Sequence, residues 1–501
     1  MFKNFYGFSL LEKYSEWKKQ NRAKKNPLSA KLIKVSFAVI VTLLLWFVPA
    51  ASYGLPNLNP IEQRVIAIFA FAALMWLFDA VPAWTTSLMV VVLLLFCTSD
   101  SGLWFLQTGS DGETFGNLVS YKAILACFAD PTIMLFIGGF IIAIAATKSG
   151  LDVKLAKVLL KPFGTKSENV LLGFLLVTGL FSMFISNTAT AAMMLTFLTP
   201  VLRALPADGK GKIGLALAIP IGANIGGMGT PIGTPPNAIA LKYLSEQGMA
   251  VGFGEWMLVM APLTIALLII SWFILRLLFP FKQKTIVLEI DDKNIKSDWR
   301  NWVVYFTFAA TIILWLTDTV TGVNANVVAM LPVGILAIAG VITKRDLEEI
   351  SWSILWMIAG AFALGVAMKQ TGLATHLIEA IPFASWSPLM VIIGSGLICY
   401  LMANFISHTA TAALFVPILA VVGQNMETLA NFGGVSTLLI GVAIGSAVAM
   451  VLPISTPPNA LADATGLIKQ KDMVKTGLIV GIMGLVLGYT VLIFAGKYGI
   501  L

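Results

Sequence analysis

The sequence predicts an all-α polytopic membrane protein with two inverted repeats, about eleven transmembrane helices and two re-entrant hairpins. Three observations support this fold: an apolar composition, a regular change of loop charge along the chain, and two motifs that each occur twice. Hydrophobic residues make up 58% of the 501 residues and charged residues only 12%. Since a soluble domain cannot bury so much apolar surface, most helices must face lipid.

The first element is a polar and basic segment, residues 1–31, which we predict to be a cytoplasmic tail. The apolar run from Leu32 to Pro49 follows it and is long enough to form the first span. Positive charge before a first span favours a cytoplasmic N-terminus. The basic residues of the tail include Lys18, Lys19, Arg22, Lys24 and Lys25.

A re-entrant hairpin is predicted at residues 170–201, because its flanking charges put both of its ends on one side of the membrane. After three spans, the loop of residues 99–120 contains acidic residues and no Lys or Arg, which favours the outside. A fourth span, 131–147, leads to Lys148, and Arg203 follows the hairpin. A hairpin of this kind must bury its tip in protein, because lipid offers backbone groups no hydrogen-bond partner.

The second half repeats this order of elements from the opposite side of the membrane. The first repeat, residues 32–280, ends with a span broken near residues 229–236 and one further span. A basic cytoplasmic linker, residues 281–300, joins it to the second repeat, residues 301–501. The second repeat contains a hairpin at residues 389–422 that enters from outside, then another broken span, and its last span places the C-terminus outside.

Two motifs recur at nearly constant spacing. The sequence SNTATAA at residues 186–192 recurs as SHTATAA at residues 407–413, and TPPNA at residues 234–238 recurs at residues 456–460. The offsets of 221 and 222 residues indicate a duplication. Inverted repeats with broken helices near the membrane midplane are typical of secondary transporters.

The predicted hairpin tips offer hydrogen-bond donors to an anion, because helix N-termini expose unpaired N–H groups. Single polar residues in membrane helices usually bond between helices, but their occurrence at both tips favours a binding site. Two tips that meet at the midplane would suit the two carboxylates of a small dicarboxylate. The candidate substrate-binding residues of the tips are Ser186, Asn187, Thr188, Ser407, His408 and Thr409.

The TPPN segments interrupt two spans, because proline removes a backbone donor and restricts the residue before it. Carbonyl groups freed at the breaks would suit Na⁺, a hard cation that prefers oxygen ligands; a simple proline kink is the alternative. We add Thr234, Pro235, Thr456 and Pro457 to the candidate substrate-binding residues.

The net charge of +8 comes from Lys and Arg between apolar runs, which predicts membrane orientation and no nucleic-acid binding. One basic stretch, Asp152 to Phe163, places Lys154, Lys157 and Lys161 at helical spacing. It predicts an interfacial amphipathic helix beside the first hairpin.

Other functional classes fit the sequence less well. An intramembrane enzyme would need paired acids, a Ser/Lys pair or His/Glu metal ligands, whereas the chain has two histidines, His376 and His408, and few acids in apolar segments. We therefore expect no enzyme. Broken helices and paired hairpins define a closed site, which disfavours a channel, and an antiporter of cations alone would not need two hydroxyl-rich anion sites.

These motifs resemble those of the divalent anion/sodium symporter family, which includes di- and tricarboxylate transporters and 2-oxoglutarate/malate-type exchangers. The resemblance covers almost the whole chain. It implies a homodimer in which a scaffold holds a transport domain that moves like an elevator. It also implies substrate contacts from Ser186, Asn187, Thr188, Ser407 and Thr409.

In the sodium-coupled members of this family, each tip reads Ser-Asn-Thr and a hydroxyl residue four positions earlier helps to bind Na⁺. The first half matches this pattern, which implies a possible Na⁺ site. In the second half Ala403 and His408 depart from it, so the equivalent site is expected to be lost. The residues of the possible first site are Ser182, Ser186, Asn187 and Gly229.

We therefore predict an exchanger of small dicarboxylates, of the succinate, malate, fumarate and 2-oxoglutarate class. A Na⁺-coupled di- or tricarboxylate symporter is the alternative. The predicted location is the cell (plasma or inner) membrane, with the N-terminus in the cytoplasm and the C-terminus outside. Apart from the possible Na⁺, the sequence indicates no cofactor.

Overall fold

A computed structural model describes residues 28–53, 55, 58–110, 112–205, 209–286, 298–380 and 386–499. These residues form helices joined by short loops, and among them the only extended pairings are isolated bridges. The predicted all-α class is therefore confirmed. Most of the predicted N-terminal tail, most of the linker of residues 281–300 and the last two residues lie outside the described part.

We number the helices of eight or more residues in chain order. Those of the first half are α1 (Leu28–Phe47), α2 (Pro60–Phe78), α3 (Ala83–Cys97), α4 (Pro131–Ser149), α5 (Leu151–Leu160), α6 (Ser167–Phe184), α7 (Asn187–Ala204), α8 (Gly211–Gly226), α9 (Pro235–Glu246) and α10 (Phe253–Leu278). Those of the second half are α11 (Trp299–Leu316), α12 (Met330–Ile338), α13 (Trp352–Thr371), α14 (Leu373–Ala380), α15 (Pro388–Phe405), α16 (His408–Gln424), α17 (Gly434–Ala447), α18 (Pro457–Ala464) and α19 (Gln470–Lys497).

Within the described residues, nine helical segments are long and apolar enough to cross a membrane. They contain α1, α2, α4, α6, α8, α10, α13, α15 and α19. Because α6 and α15 are the first arms of the predicted hairpins, the expected number of spans is reached only if shorter apolar helices such as α3 and α17 also cross. The number of about eleven spans stays a prediction.

Both predicted hairpin tips are breaks between two helices. Helix α6 ends before Ile185 and Ser186, whose backbone is extended, and α7 begins directly after them. Helices α15 and α16 are separated in the same way by Ile406 and Ser407. Each Ser then caps the following helix, so only two residues at each tip lie outside helical conformation.

The two broken spans have the same internal construction. Helix α8 ends in a short 3₁₀ turn, Gly227–Gly229, and α9 begins at Pro235 after five intervening residues. Helix α18 begins at Pro457 after a similar break. The Asn237 amide Nδ2 donates to the carbonyls of Gly227 at 2.9 Å and Thr230 at 2.8 Å. Each break therefore has a side-chain donor for carbonyls that no longer have a helical partner.

The equivalent asparagine repeats this arrangement in the second half. Asn459 Nδ2 donates to Met450 O at 2.8 Å and Leu452 O at 3.0 Å. Both asparagines are fully buried, at 0% and 2% exposure. The Asn of the TPPN motif is thus the residue that closes the break, a role for which the sequence analysis had no assignment.

The half-helices after the breaks pack against the opposite half of the chain. Helix α9 lies against α16 and α17, and α18 lies against α7 and α8. The two breaks are thereby buried between the two halves. A second set of helices, α2, α3, α4, α11, α12 and α13, packs mainly within itself.

The predicted interfacial helix, Asp152 to Phe163, forms α5 and a following 3₁₀ turn. Its carboxyl group at Asp152 is 2% exposed and accepts hydrogen bonds from Thr147 Oγ1 at 3.0 Å and Val153 N at 2.8 Å. Burial raises the pKa of Asp152 to about 6, although these hydrogen bonds act in the opposite direction. The ionised form is therefore disfavoured in the folded protein.

Replacing Asn459 by Ala should destabilise the protein, because the carbonyls of Met450 and Leu452 would lose their donor. An unsatisfied buried acceptor costs about 1–3 kcal/mol. The check is the melting temperature of the purified protein in detergent. Asn425→Ala is the matched control, since Asn425 also donates to a carbonyl, Val421 O at 2.7 Å, but is exposed; equal losses in both variants would contradict this role.

Replacing Asp152 by Asn should stabilise the protein above about pH 6. A carboxyl group whose pKa is raised in the folded state lowers the free energy of unfolding as the pH rises from the usual carboxylate range to the raised pKa. Asn does not ionise and therefore avoids this loss. The gain in the free energy of unfolding, about 1–3 kcal/mol, should become smaller as the pH falls towards 4. Melting temperatures measured across this range provide the check.

The control is Asp346→Asn, which should behave in the opposite way. Burial raises the pKa of Asp346, but hydrogen bonds from Lys148 at 2.6 Å and Thr343 at 2.7 Å outweigh it and lower the pKa. Its contribution is present at neutral pH and is lost as pH falls through the lowered pKa. A pH trend of the same sign in both variants would refute the assignment.

Candidate functional site

The first tip brings three oxygen atoms together. Ser182 Oγ lies 2.6 Å from Asn187 Oδ1 and 2.7 Å from the carbonyl oxygen of Ala223. Ser186 caps α7, with its Oγ accepting from Ala189 N at 3.3 Å. Serine has a single proton to donate, so this cluster has more acceptor than donor capacity. Such a set of neutral oxygens suits a hard cation.

The first break lies directly against this tip. A Cβ at Gly227 would be only 2.9 Å from the Asn187 amide atoms, so a glycine is required for this approach. Thr230 Oγ1 donates to Met183 O and accepts from Gly233 N at 3.1 Å. The predicted Na⁺ ligand Gly229 lies against the Met183 side chain, where a Cβ would approach to 2.8 Å.

The second tip has a different chemical character. His408 is 7% exposed, and its Nε2 lies 2.7 Å from the carbonyl oxygen of Ala449. A carbonyl can only accept, so Nε2 carries a proton, and in the neutral imidazole Nδ1 is then an acceptor. Ser407 caps α16 by accepting from Ala410 N at 3.2 Å. Ala403, at the position equivalent to Ser182, is fully buried and has no side-chain oxygen.

The second break contacts its tip through different residues at the same places. Ser455 Oγ donates to Asn404 O at 3.0 Å and accepts from Leu452 N at 3.1 Å. By the repeat offset, Leu452 corresponds to Thr230 and Ser455 to Gly233. In each half, one hydroxyl therefore makes the same two hydrogen bonds. It belongs to the first residue of the turn in the first half, Thr230, and to the last residue of the turn in the second half, Ser455.

The remaining predicted residues begin the half-helices after the breaks. Thr456 Oγ1 accepts from Asn459 N at 3.3 Å and caps α18, whereas Thr234 is 3% exposed and caps α9 without a side-chain hydrogen bond. Pro235 and Pro457 occupy the first helical position, where their missing N–H costs nothing. Thr188 is partly buried and Thr409 buried, each directly after the first residue of its helix.

Sequence reasoning missed several residues of this region, namely Asn224, Thr230, Asn404, Ser455 and the carbonyl of Ala223. None of them has an identical partner at the repeat offset. In the sequence, the repeat is visible only where identical residues recur, so residues that perform equivalent roles with different side chains give no such signal. The two small residues Gly222 and Ala223 beside the polar Asn224 are the local indication of a close helix contact.

A cavity of about 670 Å³ reaches the first break at Pro231. On its rim, Lys242 Nζ lies 2.6 Å from Asp130 Oδ2 and 2.8 Å from Glu246 Oε1. Because the rim also includes Glu255 and Asp318, acidic groups outnumber basic ones there. The rim therefore would not attract a dianion, whereas the helix N-termini at the tips and breaks offer N–H groups that favour anions.

Comparison with known proteins gives relatives over nearly the whole length. The chain is 29% identical to the sodium-dependent dicarboxylate transporter SdcS of Staphylococcus saprophyticus, with 95% of this chain and 93% of that protein covered. It is 30% identical to an uncharacterized transporter of Haemophilus influenzae, with 89% and 93% covered. These matches therefore span both halves of the chain.

The fold is also similar to a solved transporter structure. The YdaH transporter of Alcanivorax borkumensis, whose crystal structure is described as having an unusual topology, matches with a TM-score of 0.52 at 13% identity. The match covers 85% of this chain and 98% of that one. At this identity the likeness concerns the fold alone.

A family model completes the comparison and agrees with the resemblance seen in the motifs. The model that describes citrate transporters, CitMHS, matches residues 73–432. This range includes both tips and the first break. The chain therefore belongs to the citrate transporter family, which is of the divalent anion/sodium symporter type.

Proposed function

We propose that the protein is a secondary active transporter that exchanges small dicarboxylates of the succinate, malate, fumarate and 2-oxoglutarate class. The observation that carries this proposal is the doubled set of helix N-termini, at the two tips and the two breaks. N–H groups at such termini favour anions without a buried charged side chain. The naming of SdcS as a dicarboxylate transporter supports the substrate class.

The substrate donors would be the tip residues of both halves. Ser186 and Ser407 each cap a helix and keep a hydroxyl proton for a carboxylate, and Thr188 and Thr409 follow each cap. The breaks would add Thr234, Pro235, Thr456 and Pro457 as the walls of the site. Two carboxylates held by two tips explain why a molecule with two anionic ends is the proposed substrate.

We further propose an inverted-repeat elevator working as a homodimer in the cell membrane. The tips, breaks and α10 and α19 would move together against the second helix set, α2–α4 and α11–α13. The separate packing of these two sets supports a moving part and a scaffold. The proposed orientation, with the N-terminus inside and the C-terminus outside, rests on the loop charges.

Exchange without net sodium coupling is proposed because of the second tip. A cation site equivalent to the first would need oxygens where Ala403 and His408 stand. A neutral His408 whose Nε2 donates to Ala449 O offers no such oxygen to a cation.

Sodium symport through the first site alone is the second candidate. The oxygen cluster of Ser182, Asn187 and Ala223 favours it, with Ser186 and Gly229 completing the proposed ligands. The relatives' description as sodium-dependent points the same way.

The deciding experiment is uptake of radiolabelled succinate into proteoliposomes, with external Na⁺ and the internal solution varied independently. Exchange predicts uptake that requires internal dicarboxylate and ignores Na⁺. Sodium symport predicts uptake into empty vesicles that rises with Na⁺ and is lost in Ser182→Ala. No uptake of succinate, malate, fumarate or 2-oxoglutarate under any condition would reject the proposed substrate class.

Restoring the first half's pattern in the second half should add sodium dependence. The double variant Ala403→Ser with His408→Asn recreates the Ser and Asn of the first tip at the equivalent places. We expect its uptake to rise at least about fivefold between low and high Na⁺, because a second oxygen site would then bind the cation. His408→Asn alone is the control, and an equal Na⁺ response in the control would show that Ala403 has no part in the effect.

A further inference from the structure

Asn224 connects the two halves of the chain at the level of the breaks. It lies near the end of α8 and is 1% exposed. Its Nδ2 donates to Thr456 Oγ1 at 3.1 Å and to Asn459 Oδ1 at 3.0 Å, more than 230 residues further along the chain. A first-half side chain thus holds the residues that begin the half-helix of the second break.

The orientation of the Asn224 amide follows from its partners. Asn459 uses its own Nδ2 for the carbonyls of Met450 and Leu452, so its Oδ1 must face Asn224. An oxygen cannot face an oxygen without a proton between them, so Asn224 must present Nδ2. Its own Oδ1 is buried without a hydrogen-bond partner in the described structure, a cost that the two donated bonds offset.

The neighbouring residue on α8 belongs to the first tip. The carbonyl of Ala223 is 2.7 Å from Ser182 Oγ, which in turn is 2.6 Å from Asn187 Oδ1. The peptide group between Ala223 and Asn224 therefore contacts the first tip through the Ala223 carbonyl. The Asn224 side chain, which follows this peptide group, contacts the second break. A shift of this peptide group would change the contacts at both places, because a close-packed interior has low compressibility and transmits strain.

The opposite half lacks this connection. By the repeat offset of 222 residues, Ser446 on α17 is the counterpart of Asn224, and its Oγ is buried with no hydrogen-bond partner in the described part of the chain. The Oδ1 of Asn237, counterpart of Asn459, is likewise buried and unpartnered. In the described chain, the hydrogen bonds that cross between the halves at the breaks are thus those of Asn224, and they run in one direction.

We propose that Asn224 is a positioning residue that couples the first tip to the second break, so that the state of Ser182 and Asn187 sets the affinity of the second half for substrate. The proposal rests on the proposed dicarboxylate transport. Without Asn224, Thr456 keeps its bond from Asn459 N and the break persists, but α18 is no longer tied to α8. Substrate affinity should then fall while the turnover rate is retained.

The test measures half-saturation and maximal rate of succinate transport for Asn224→Ser, which copies the residue of the opposite half. Ser446→Ala is the matched control. We expect Asn224→Ser to raise the half-saturation concentration about tenfold, as the loss of buried hydrogen bonds would, with the maximal rate little changed. The control should leave both values unchanged.

The coupling itself is tested with Ser182→Ala and the double variant Ser182→Ala with Asn224→Ser. If Ser182 acts on the second half through α8 and Asn224, the two effects on half-saturation are not additive. Additive effects, or an equal effect of Ser446→Ala, would overturn the proposal. If Asn224→Ser does not yield monodisperse protein, Asn224→Thr, which carries the same single hydroxyl donor and one more methyl group, replaces it in the same cycle and should give the same non-additive effect.

Failure of the proposed function has a different signature. A wild-type protein that transports none of the dicarboxylates would reject the function and this inference together. Wild-type transport with additive variant effects would reject the coupling alone.

Discussion

The structure depends on two buried asparagine side chains that replace missing backbone hydrogen bonds. In lipid, a helix can be interrupted only where something else satisfies the carbonyls that lose their partners. Asn237 and Asn459 do this with one amide each, and they lie three residues inside the half-helix that they stabilise. The open backbone of both breaks, and with it the N-termini of α9 and α18, is held by these amides.

Around these two asparagines, some interactions are retained in both halves and others differ between them. In both halves the asparagine donates to two carbonyls of its own break. The hydroxyl that joins break to tip is retained at a shifted position, Thr230 in one half and Ser455 in the other. At the breaks of the described chain, the hydrogen bonds between the halves start only from Asn224. The oxygen cluster at Ser182 has become Ala403 on the other side. Interactions that maintain the backbone are conserved between the halves, whereas those that define what is bound differ.

The sequence predicted the helical class and the two broken spans because lipid restricts a chain to few solutions, so composition and proline positions are enough to find them. It also placed the tips at Ser186 and Ser407, since identical residues recur there. It gave no sign of Asn224 or of the bond from Ser455 to Asn404, because their partners are distant in sequence and differ between the halves. It could not show that Gly227, and not Gly229, lies against Asn187, since that depends on the direction in which the 3₁₀ turn leaves α8.

The asymmetry has a physical consequence for a site built from two similar halves. Two equal tips would bind the two ends of a dicarboxylate equally, and neither would control the other. Here the first tip offers a compact set of oxygens, and the second offers an imidazole whose Nε2 proton is committed to Ala449. In the described chain, the hydrogen bonds that connect α8 with the second break start from Asn224 of the first half, so this residue provides the hydrogen-bonded path between the two halves of the site. Binding free energies must still be reciprocal, so such a link would make substrate at the second half strengthen whatever ligand the first tip holds, and a one-sided hydrogen bond is sufficient for a two-sided coupling.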